Sequence, residues 1–583
     1  MEVHEEENVG MASISIHDWA IVDKMSSYLS ILYDEYQSYR DKNRGKWEEI
    51  EAYLYATDST TLPGLNHYDH TTHIPLTSEI KEEAEAIMYN TVLPHADFLS
   101  WQGHDPSDDS RELRQKVLAY IKNRHSLNGF EQTFRKVIQD LVIYGNCFVQ
   151  TRYVDESSKG VGYVGPKPYR ISPYDIVFDP TRSSFEDTPK FIRTVWSMGE
   201  FLEWVKTQEG VDETIVDNVK NRRNNWQTLT RTEINKNQQY LPDGFTDIQS
   251  YYQSGKVELL WFYGDVYDEE SEKLLKDRMV VLVDRVNTLI NREELEPNIY
   301  KGSWSEKPDN LWSQGPLDKI VGINFQVNHR ENSKSDAMDR FIWPDRVHVG
   351  EVEEVYDVET GQTKYLAPEG GGVQDISPDT SVLSADLHID RLKVDARAAA
   401  GLPPELQGFR TPGEKTFGEV QSLESAAMRK FLHRASQFEM DVLEKVITSE
   451  IRIGRDNFQS VIQAMASDES GLPVLVQITK EDLSANGRLV PLGSRRFSRR
   501  NQNLAMLQTL ASGALGQMIM PHLNTYKLAR IVEELGEFTD WELIDKFASI
   551  TENTEARIEQ AIQQQQSSQI LSNPTIQESM MED

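Results

Sequence analysis

Cysteine is nearly missing from this chain. Among 583 residues there is one, Cys147, so no internal disulfide can form, and the composition fits a reducing compartment. Cys147 opens an apolar, strand-like run, and no general base is evident beside it in the sequence. The pattern therefore predicts a buried structural thiol and not a nucleophile.

Long apolar runs are missing as well. No stretch approaches the roughly 20 apolar residues of a membrane-spanning helix, and the acidic start Met1-Glu-Val-His has no signal-peptide pattern. We therefore expect no membrane contact. The hydrophobic content of 38% still supports ordered cores, and the length predicts about two to four domains.

Positive charge is scarce. The chain has 61 Lys and Arg against 94 Asp and Glu, so its net charge is 61 − 94 = −33. A protein that grips nucleic acid over its whole surface is basic, and that class is excluded. Two interpretations remain open: plain solubility, and an acidic channel that lets DNA slide because it binds phosphate weakly.

The main local exception to this acidity is a group of five arginines late in the chain. DNA contact and salt bridges between subunits explain the group equally well. Its members are Arg488, Arg495, Arg496, Arg499 and Arg500.

The motifs of common enzymes are missing too. The sequence has no Gly-x-Ser-x-Gly, His-Glu-x-x-His or zinc-finger spacing. His67, His70 and His73 recur at a spacing of three, but the prolines and glycine around them argue against a helix that would align them, so no metal site is predicted. Asp175 and Asp179 stand near prolines and predict turns, not a catalytic carboxylate pair. No cofactor is expected, and the chain is not expected to be an enzyme.

One stretch comes close to a phosphate-binding P-loop. Residues 408–413 begin and end with glycine, and Glu414, Lys415 and Thr416 follow. A P-loop needs lysine directly after the second glycine and a buried strand upstream. Here Glu414 intervenes, and Pro403-Pro404 precedes the loop, which no central strand tolerates. A P-loop-like NTPase, or a metal-dependent nuclease of a DNA-processing system, stays as the alternative.

The rest of the chain mixes helical and strand periods. Helices are expected over 17–55, 78–93, 107–124, 129–144, 198–206, 458–466, 501–515, 522–537 and 541–550. Strands are expected over 147–154, 169–180 with a central turn, 191–196, 256–267, 279–287 and 473–479. The polar residues 207–250 predict a long loop or an insertion.

Two helices enclose a small β insertion. The first opens at Gly315-Pro316 and runs to about Ile342, and the second runs from Ser384 to Gly401. Leu317, Ile320 and Val321 should pack one end of the first helix, but residues 328–340 are nearly all polar. A helix that is polar on all sides is seldom stable alone. We therefore expect identical neighbours to pack around it.

A loop and a very long helix follow. The loop spans 406–415, and overlapping capping boxes at Thr411 and Thr416 can start the next helix. Its predicted apolar face is Phe417, Val420, Leu423, Ala427, Phe431, Ala435, Phe438, Val442 and Val446.

This ordered set resembles the core of tailed-bacteriophage portal proteins, also called head-to-tail connectors. The residues that carry the resemblance are 402–408 (Leu-Pro-Pro-Glu-Leu-Gln-Gly), 413–416, Glu419-Val420 and the long helix. The helix–insertion–helix order matches independently, and the Ser-Pro-Tyr-Asp run at 172–175 is also similar to portals.

The resemblance implies an α+β, mainly α, subunit with a wing, a two-helix stem, a small β clip and a helical C-terminal crown. In chain order it implies a loose N-terminus (1–12), the wing (13–312), the first stem helix (313–343), the clip (344–383) and the second stem helix (384–402). The tunnel loop (403–416), the long wing helix with the end of the wing (417–500), the crown (501–560) and a flexible tail (561–583) follow.

It also implies a function. Portal subunits form a ring of about twelve copies at one capsid vertex of the virion, after assembly in the bacterial host cytoplasm. Double-stranded DNA enters and leaves through the ring, which contacts terminase, capsid and scaffolding proteins, and tail or adaptor proteins. By this resemblance Phe409, Arg410 and Lys415 face the DNA in the tunnel loop. The clip would dock partners through Arg346, His348, Lys364 and Tyr365.

Overall fold

Helices and antiparallel sheets share the chain, which gives an α+β fold in the computed structural model. Every described residue belongs to the first of two units, 1–493 and 494–583, into which the chain divides. None of the helices described is long and apolar enough to cross a membrane. The structure describes residues 24–491 apart from 66, 94–97, 105–109, 157–161, 209–210, 212, 225–253, 269–271, 350–352, 358–361, 367–371, 377–383, 403–429, 459–460, 468–472 and 485–486.

The helices agree with the sequence periods over most of the first half. They span Lys24–Tyr55, Leu76–Val92, Arg111–Asn128, Phe130–Tyr144, Met198–Thr207, Glu213–Asn224, Val321–Ile342, Ala385–Ala400, Glu444–Asp456 and Lys480–Leu483. A 3-10 turn, Leu317–Lys319, precedes Val321–Ile342, and a π-helical turn, Glu439–Leu443, precedes Glu444–Asp456.

The strands form small antiparallel sheets. They span Leu99–Gly103, Asn146–Asp155, Val164–Ile171, Ile176–Phe178, Lys190–Ser197, Lys256–Asp268, Lys273–Val283, Asn287–Glu293, Ile299–Ser303, Ser305–Lys307, Asn310–Gln314, Asp345–Val349, Glu353–Asp357, Gln362–Leu366, Gly372–Ile376, Ile462–Ser467, Pro473–Ile478 and Gly487–Pro491. The largest sheet has five strands in chain order, from Ile176–Phe178 to Asn287–Glu293.

Both faces of the five-stranded sheet are covered. Leu259, Trp261 and Tyr263 point into the main core, as the predicted packing of the two aromatics requires. Leu260 and Phe262 point the other way, into a second cluster that the helix Lys24–Tyr55 covers. The alternation follows from the period of two in a strand, and burial on both faces explains why this run is almost wholly apolar.

Buried ion pairs fix the helix Lys24–Tyr55 on that sheet. Glu258 is fully buried, and its Oε1 accepts from Arg193 Nε at 2.6 Å and from Arg285 Nη2 at 3.0 Å. Burial raises the pKa of Glu258, but the two arginines outweigh it and lower the pKa to about 2. Arg285 also lies over the ring of Tyr33, and Ser30 Oγ donates to its carbonyl at 2.8 Å. The carboxylate therefore stays charged and positions Arg285, which in turn contacts the helix Lys24–Tyr55 through Tyr33 and Ser30.

Three sequence predictions are wrong. Residues 458–466 do not finish a helix, because Ile462–Ser467 is a strand paired with Pro473–Ile478. Within the polar 207–250 stretch, Glu213–Asn224 is a helix. The expected strand 279–287 is two strands, Lys273–Val283 and Asn287–Glu293, joined by a turn in which Asp284 and Arg285 take positive φ. In the two strand regions the pairing partner, which local periodicity cannot show, decides the structure.

The long helix is described from residue 430 onward. Of its predicted apolar face, Phe431, Ala435, Phe438, Val442 and Val446 are all buried, which confirms that part of the prediction. Several predicted regions lie outside the described residues. They are the loose N-terminus 1–12, the tunnel loop 403–416, the first part of the predicted long helix, 417–429, the crown 501–560 and the tail 561–583.

We predict that Gly145→Ala is strongly destabilising. Gly145 has φ +70°, and a Cβ there would lie 2.3 Å from the backbone nitrogen of Gly315. Left-handed strain and a backbone clash together should lower the free energy of unfolding by about 3 kcal/mol. Denaturant unfolding measures it. The control is Gly199→Ala, where the new Cβ meets nothing within 4 Å and helix propensity favours alanine; equal losses in the two variants would refute the close approach.

Candidate functional site

Two antiparallel helices carry a small β insertion between their ends. Val321–Ile342 leads into the strand Asp345–Val349, and Gly372–Ile376 leads back toward Ala385–Ala400. Asp345–Val349 pairs with Gly372–Ile376, and Glu353–Asp357 pairs with Gln362–Leu366. Near the insertion, Lys334 Nζ lies 2.7 Å from Asp386 Oδ1 and so links the two helices. We call Val321–Ile342 and Ala385–Ala400 the helix pair.

The other end of the helix pair is fixed to the body. Leu317 and Ile320 are fully buried, as predicted. Asn146 Oδ1 accepts from the backbone of Ser313 at 2.9 Å, and its amide nitrogen donates to the Ser313 carbonyl at 2.9 Å. Gly145 lets the two backbones meet here. The chain therefore enters the first helix in a fixed direction.

A ladder of polar side chains runs along Val321–Ile342. Asn328 Oδ1 accepts from the Ile74 backbone at 2.9 Å, Asn332 Oδ1 from Thr72 at 2.9 Å, and Asp336 Oδ1 from His70 at 3.0 Å. The acceptors recur every four residues, while the donors recur every two residues in the opposite direction. Asn328 and Asn332 are fully buried. The polar half of the helix is thus packed against an extended segment of the same chain.

The ladder corrects one sequence prediction. We expected the polar residues 328–340 to need identical neighbours, but on this face the segment before Leu76 supplies the partners. Toward the insertion the exposed residues are mixed. Asp339 and Arg340 are exposed there, but so are the apolar Met338, Phe341 and Ile342, and Trp343 is 80% exposed. The surface available to a neighbour therefore includes a group of large apolar side chains.

The last rung of the ladder is ionisable. His70 Nδ1 lies 2.8 Å from Asp336 Oδ1, and its Nε2 lies 3.4 Å from Asp339 Oδ2. The hydrogen bond to Asp336 raises the pKa of His70. Desolvation raises the pKa of Asp336, but the hydrogen bonds from His70 outweigh it, so the net pKa is lowered. Both shifts favour the charged pair.

The three histidines that recur at a spacing of three do not come together around one point. The His67 ring contacts the ring of Tyr68 at a tilt of 41°, His70 pairs with Asp336, and His73 Nδ1 lies 2.9 Å from Asn328 Nδ2. Burial lowers the pKa of His73, which favours its neutral form. No cluster of three metal-ligating side chains occurs in the part of the chain that the structure describes. The histidines belong to the packing of the ladder segment.

A cavity of about 310 Å³ lies where the helix pair meets the body; we call it the basal cavity. Its lining includes Gly315 before the first helix, Gly401 after the second, and the aromatic rings of Trp304 and Phe431. Its ionisable lining residues are all basic: Lys319, Lys430, His433 and Arg434. Gly401 and Lys430 also flank the segment that contains the predicted tunnel loop.

The other predicted site residues are scattered or undescribed. Phe409, Arg410 and Lys415 lie outside the described residues, as do Arg495, Arg496, Arg499 and Arg500. Arg488 lies in the strand Gly487–Pro491, with Nη1 3.7 Å from Glu444 Oε1, so it makes an ion pair within the chain. In the insertion, Arg346 pairs in register with Asp375, His348 with Val373, Lys364 with Val355 and Tyr365 with Glu354.

Two other candidates are structural. Cys147 is fully buried, and burial raises the pKa of its thiol, which confirms an inert side chain. Asp179 Oδ1 accepts from the Thr181 backbone at 2.9 Å, and the Asp175 backbone donates to Ser172 O at 2.9 Å, as the predicted turns require. Sequence reasoning missed the ladder. Its only local signal was asparagine or aspartate at 324, 328, 332 and 336.

Comparison with known proteins gives no match to a protein-family model and no match to a curated protein.

We predict that Asn332→Ala weakens the whole fold. It removes the acceptor of the Thr72 backbone N–H at 2.9 Å and the donor to the buried Ser59 Oγ at 3.2 Å. An unsatisfied buried group such as the Ser59 hydroxyl costs about 1–3 kcal/mol, measurable by denaturant unfolding. Ser333→Ala is the control, because Ser333 Oγ donates only to His329 O of its own helix turn. Equal losses in both variants would mean that the ladder contributes nothing.

We predict that the His70 rung weakens in alkaline solution. Because the folded pKa of His70 lies above 6.5, its contribution is complete below that pH and is lost as pH rises through the folded pKa. The Asp336 contribution is present above 3.8 and is lost only as pH falls through its lowered pKa. The melting temperature of His70→Gln should approach that of the wild type as pH rises. His67→Gln should show no such convergence, and a constant His70→Gln difference at all pH values would contradict the prediction.

Proposed function

We propose that this chain is a portal subunit. A ring of about twelve copies would form a channel at one capsid vertex, through which viral double-stranded DNA is packaged and later ejected. The observation that carries the proposal is an antiparallel helix pair that holds a four-stranded β insertion at one end and is fixed to an α+β body at the other. On this proposal the helix pair is the stem and the insertion is the clip.

The charge distribution supports a channel that carries DNA without gripping it. The net charge is −33, so an assembled tube would repel phosphate over most of its surface. In the proposal, Phe409, Arg410 and Lys415 of the tunnel loop meet the DNA. Each basic contact is then a screened point charge that a passing phosphate makes and breaks quickly.

The exposed apolar residues support self-assembly. Phe341, Ile342 and Trp343 are more than half exposed at the insertion end of the helix pair, and Leu387 of the second helix is 78% exposed. Apolar side chains grouped on a surface typically mark an interface. In the ring, this end of one helix pair would pack against the helix pair of the next subunit, leaving the clip free for terminase or a tail adaptor.

The structure before the P-loop-like run does not suit the NTPase alternative. The residues just before the P-loop-like run form the helix Ala385–Ala400, which ends at Gly401 with φ +88°. A P-loop follows a buried strand that points the loop at the phosphates. Helix followed by Pro403-Pro404 is a different arrangement, and it favours the channel over the enzyme.

The proposal predicts a ring with a central hole in negative-stain images and a mass many times 66.9 kDa by mass photometry. Phe341→Glu with Trp343→Glu should break the ring, because charges replace apolar contacts between copies. Leu295→Glu is the control, since Leu295 is 71% exposed in a loop away from the helix pair. A stable wild-type monomer at micromolar concentration, or ATP turnover that Lys415→Ala abolishes, would overturn the proposal.

A further inference from the structure

The basal cavity is lined by cations from two parts of the fold. Lys319 comes from the 3-10 turn before the first helix, and Lys430 and Arg434 come from the long helix. Among the described residues no carboxylate lines it. Lys319 and Lys430 are exposed and Arg434 is half-buried, so these charges are within reach of a ligand from solution. In a chain of net charge −33, a cavity lined by cations without a carboxylate suits an anion.

A second, larger cavity among the described residues shows the contrast. It has about 460 Å³, and its lining contains both signs: Arg182, Lys301, Lys307 and Lys445 against Glu186, Glu306 and Asp441. Lys445 Nζ lies 2.5 Å from Glu186 Oε1, so charges there are compensated from within the chain. The basal cavity has no such internal compensation in the described residues.

Capping of the neighbouring helix does not account for the cations. Basic side chains often stabilise the carbonyl end of a helix, and Ala385–Ala400 ends at this cavity. That end is already capped by backbone groups, because Leu402 N donates to Arg397 O at 2.8 Å and Gly401 N to Ala398 O at 3.1 Å. The Lys430 side chain runs beside Gly401, where an added Cβ would lie 3.5 Å from Lys430 Cδ.

The donors left over suit one chemical group. Arg434 Nη1 donates to Gln437 Oε1 at 2.9 Å, which leaves other guanidinium N–H groups for a ligand. Guanidinium groups bind phosphate through paired hydrogen bonds, and lysine adds a mobile point charge. The floor of Trp304 and Phe431 excludes water on one side. The cavity volume is at the lower end of the range for small-molecule sites, so one phosphate fits with room for the group attached to it.

We propose that the basal cavity is a phosphate-binding site. Lys430 and Arg434 would hold the phosphate oxygens, and Lys319 would close the opposite side. The phosphate could come from a DNA backbone or from free phosphate or pyrophosphate. The DNA source rests on the proposed function, because only a channel brings a duplex to the base of the helix pair.

The test uses the full chain with two ligands. Calorimetric titration measures binding of inorganic phosphate and of pyrophosphate, and fluorescence anisotropy measures binding of a short labelled duplex DNA. The variant is Lys430→Gln with Arg434→Gln. The control is Lys206→Gln with Lys276→Gln, which removes the same charge at two exposed lysines away from the cavity. Melting temperature and oligomeric state of each variant verify that the fold is kept, and Lys319→Gln gives a milder second change.

We expect at least about a tenfold loss of affinity in the cavity variant, since it loses charge-assisted hydrogen bonds, and little change in the control. Loss for DNA alone identifies the backbone as the source, and loss for the free anions alone identifies a small phosphate ligand; either supports the site. Wild-type protein that binds none of the ligands, or variant and control that weaken equally, would overturn it. A monomer that still binds phosphate through Lys430 and Arg434 would remove the portal proposal but keep the site.

Discussion

The helix Val321–Ile342 depends on backbone N–H groups that a distant segment supplies. Four residues of helix rise about 6.0 Å, and two residues of extended chain rise about 6.6 Å. The near match lets Asn328, Asn332 and Asp336 each meet the next alternate N–H, from Ile74 to His70. Because the bonds are to backbone groups, they fix the path of the segment more than its sequence. A polar face is thereby buried without unpaired amides at these rungs.

This constraint sets the direction of the helix pair. The extended segment connects the helices Lys24–Tyr55 and Leu76–Val92, both of which pack in the body. The ladder therefore fixes the far half of Val321–Ile342, while Gly145, Asn146 and Ser313 fix its start. The helix is thus held from its start to Asp336 and is oriented by contacts within its own chain. If the chain assembles into a ring, the subunits would meet with this helix already in place, and the exposed apolar residues around Trp343 would be available to a neighbour.

Much of the fold could be predicted from local patterns. The strand Asn146–Asp155 and the helix Phe130–Tyr144 appear within one residue of their expected bounds, because glycines 129 and 145 adopt positive φ at the boundaries. The contacts of the candidate site could not be predicted from local patterns. The ladder joins residues more than 250 positions apart, and no local period reports such a pairing. The helix prediction for residues 462–467 failed for the same reason. Their alanine, glutamine and methionine favour a helix, but pairing with the strand Pro473–Ile478 makes them a strand.

The placement of charge distinguishes a channel through which DNA passes from a surface that binds DNA tightly. A DNA-binding surface gains affinity with each phosphate it neutralises, so an evenly basic surface would hold DNA in place. Among the described residues several cations are already paired with carboxylates, as Arg488 is with Glu444 and Lys334 with Asp386. The basal cavity keeps its cations unpaired by carboxylates among the described residues. If the chain forms the ring that we propose, one weak phosphate contact per subunit would hold DNA in register yet release it, because each contact would break independently as the duplex advances.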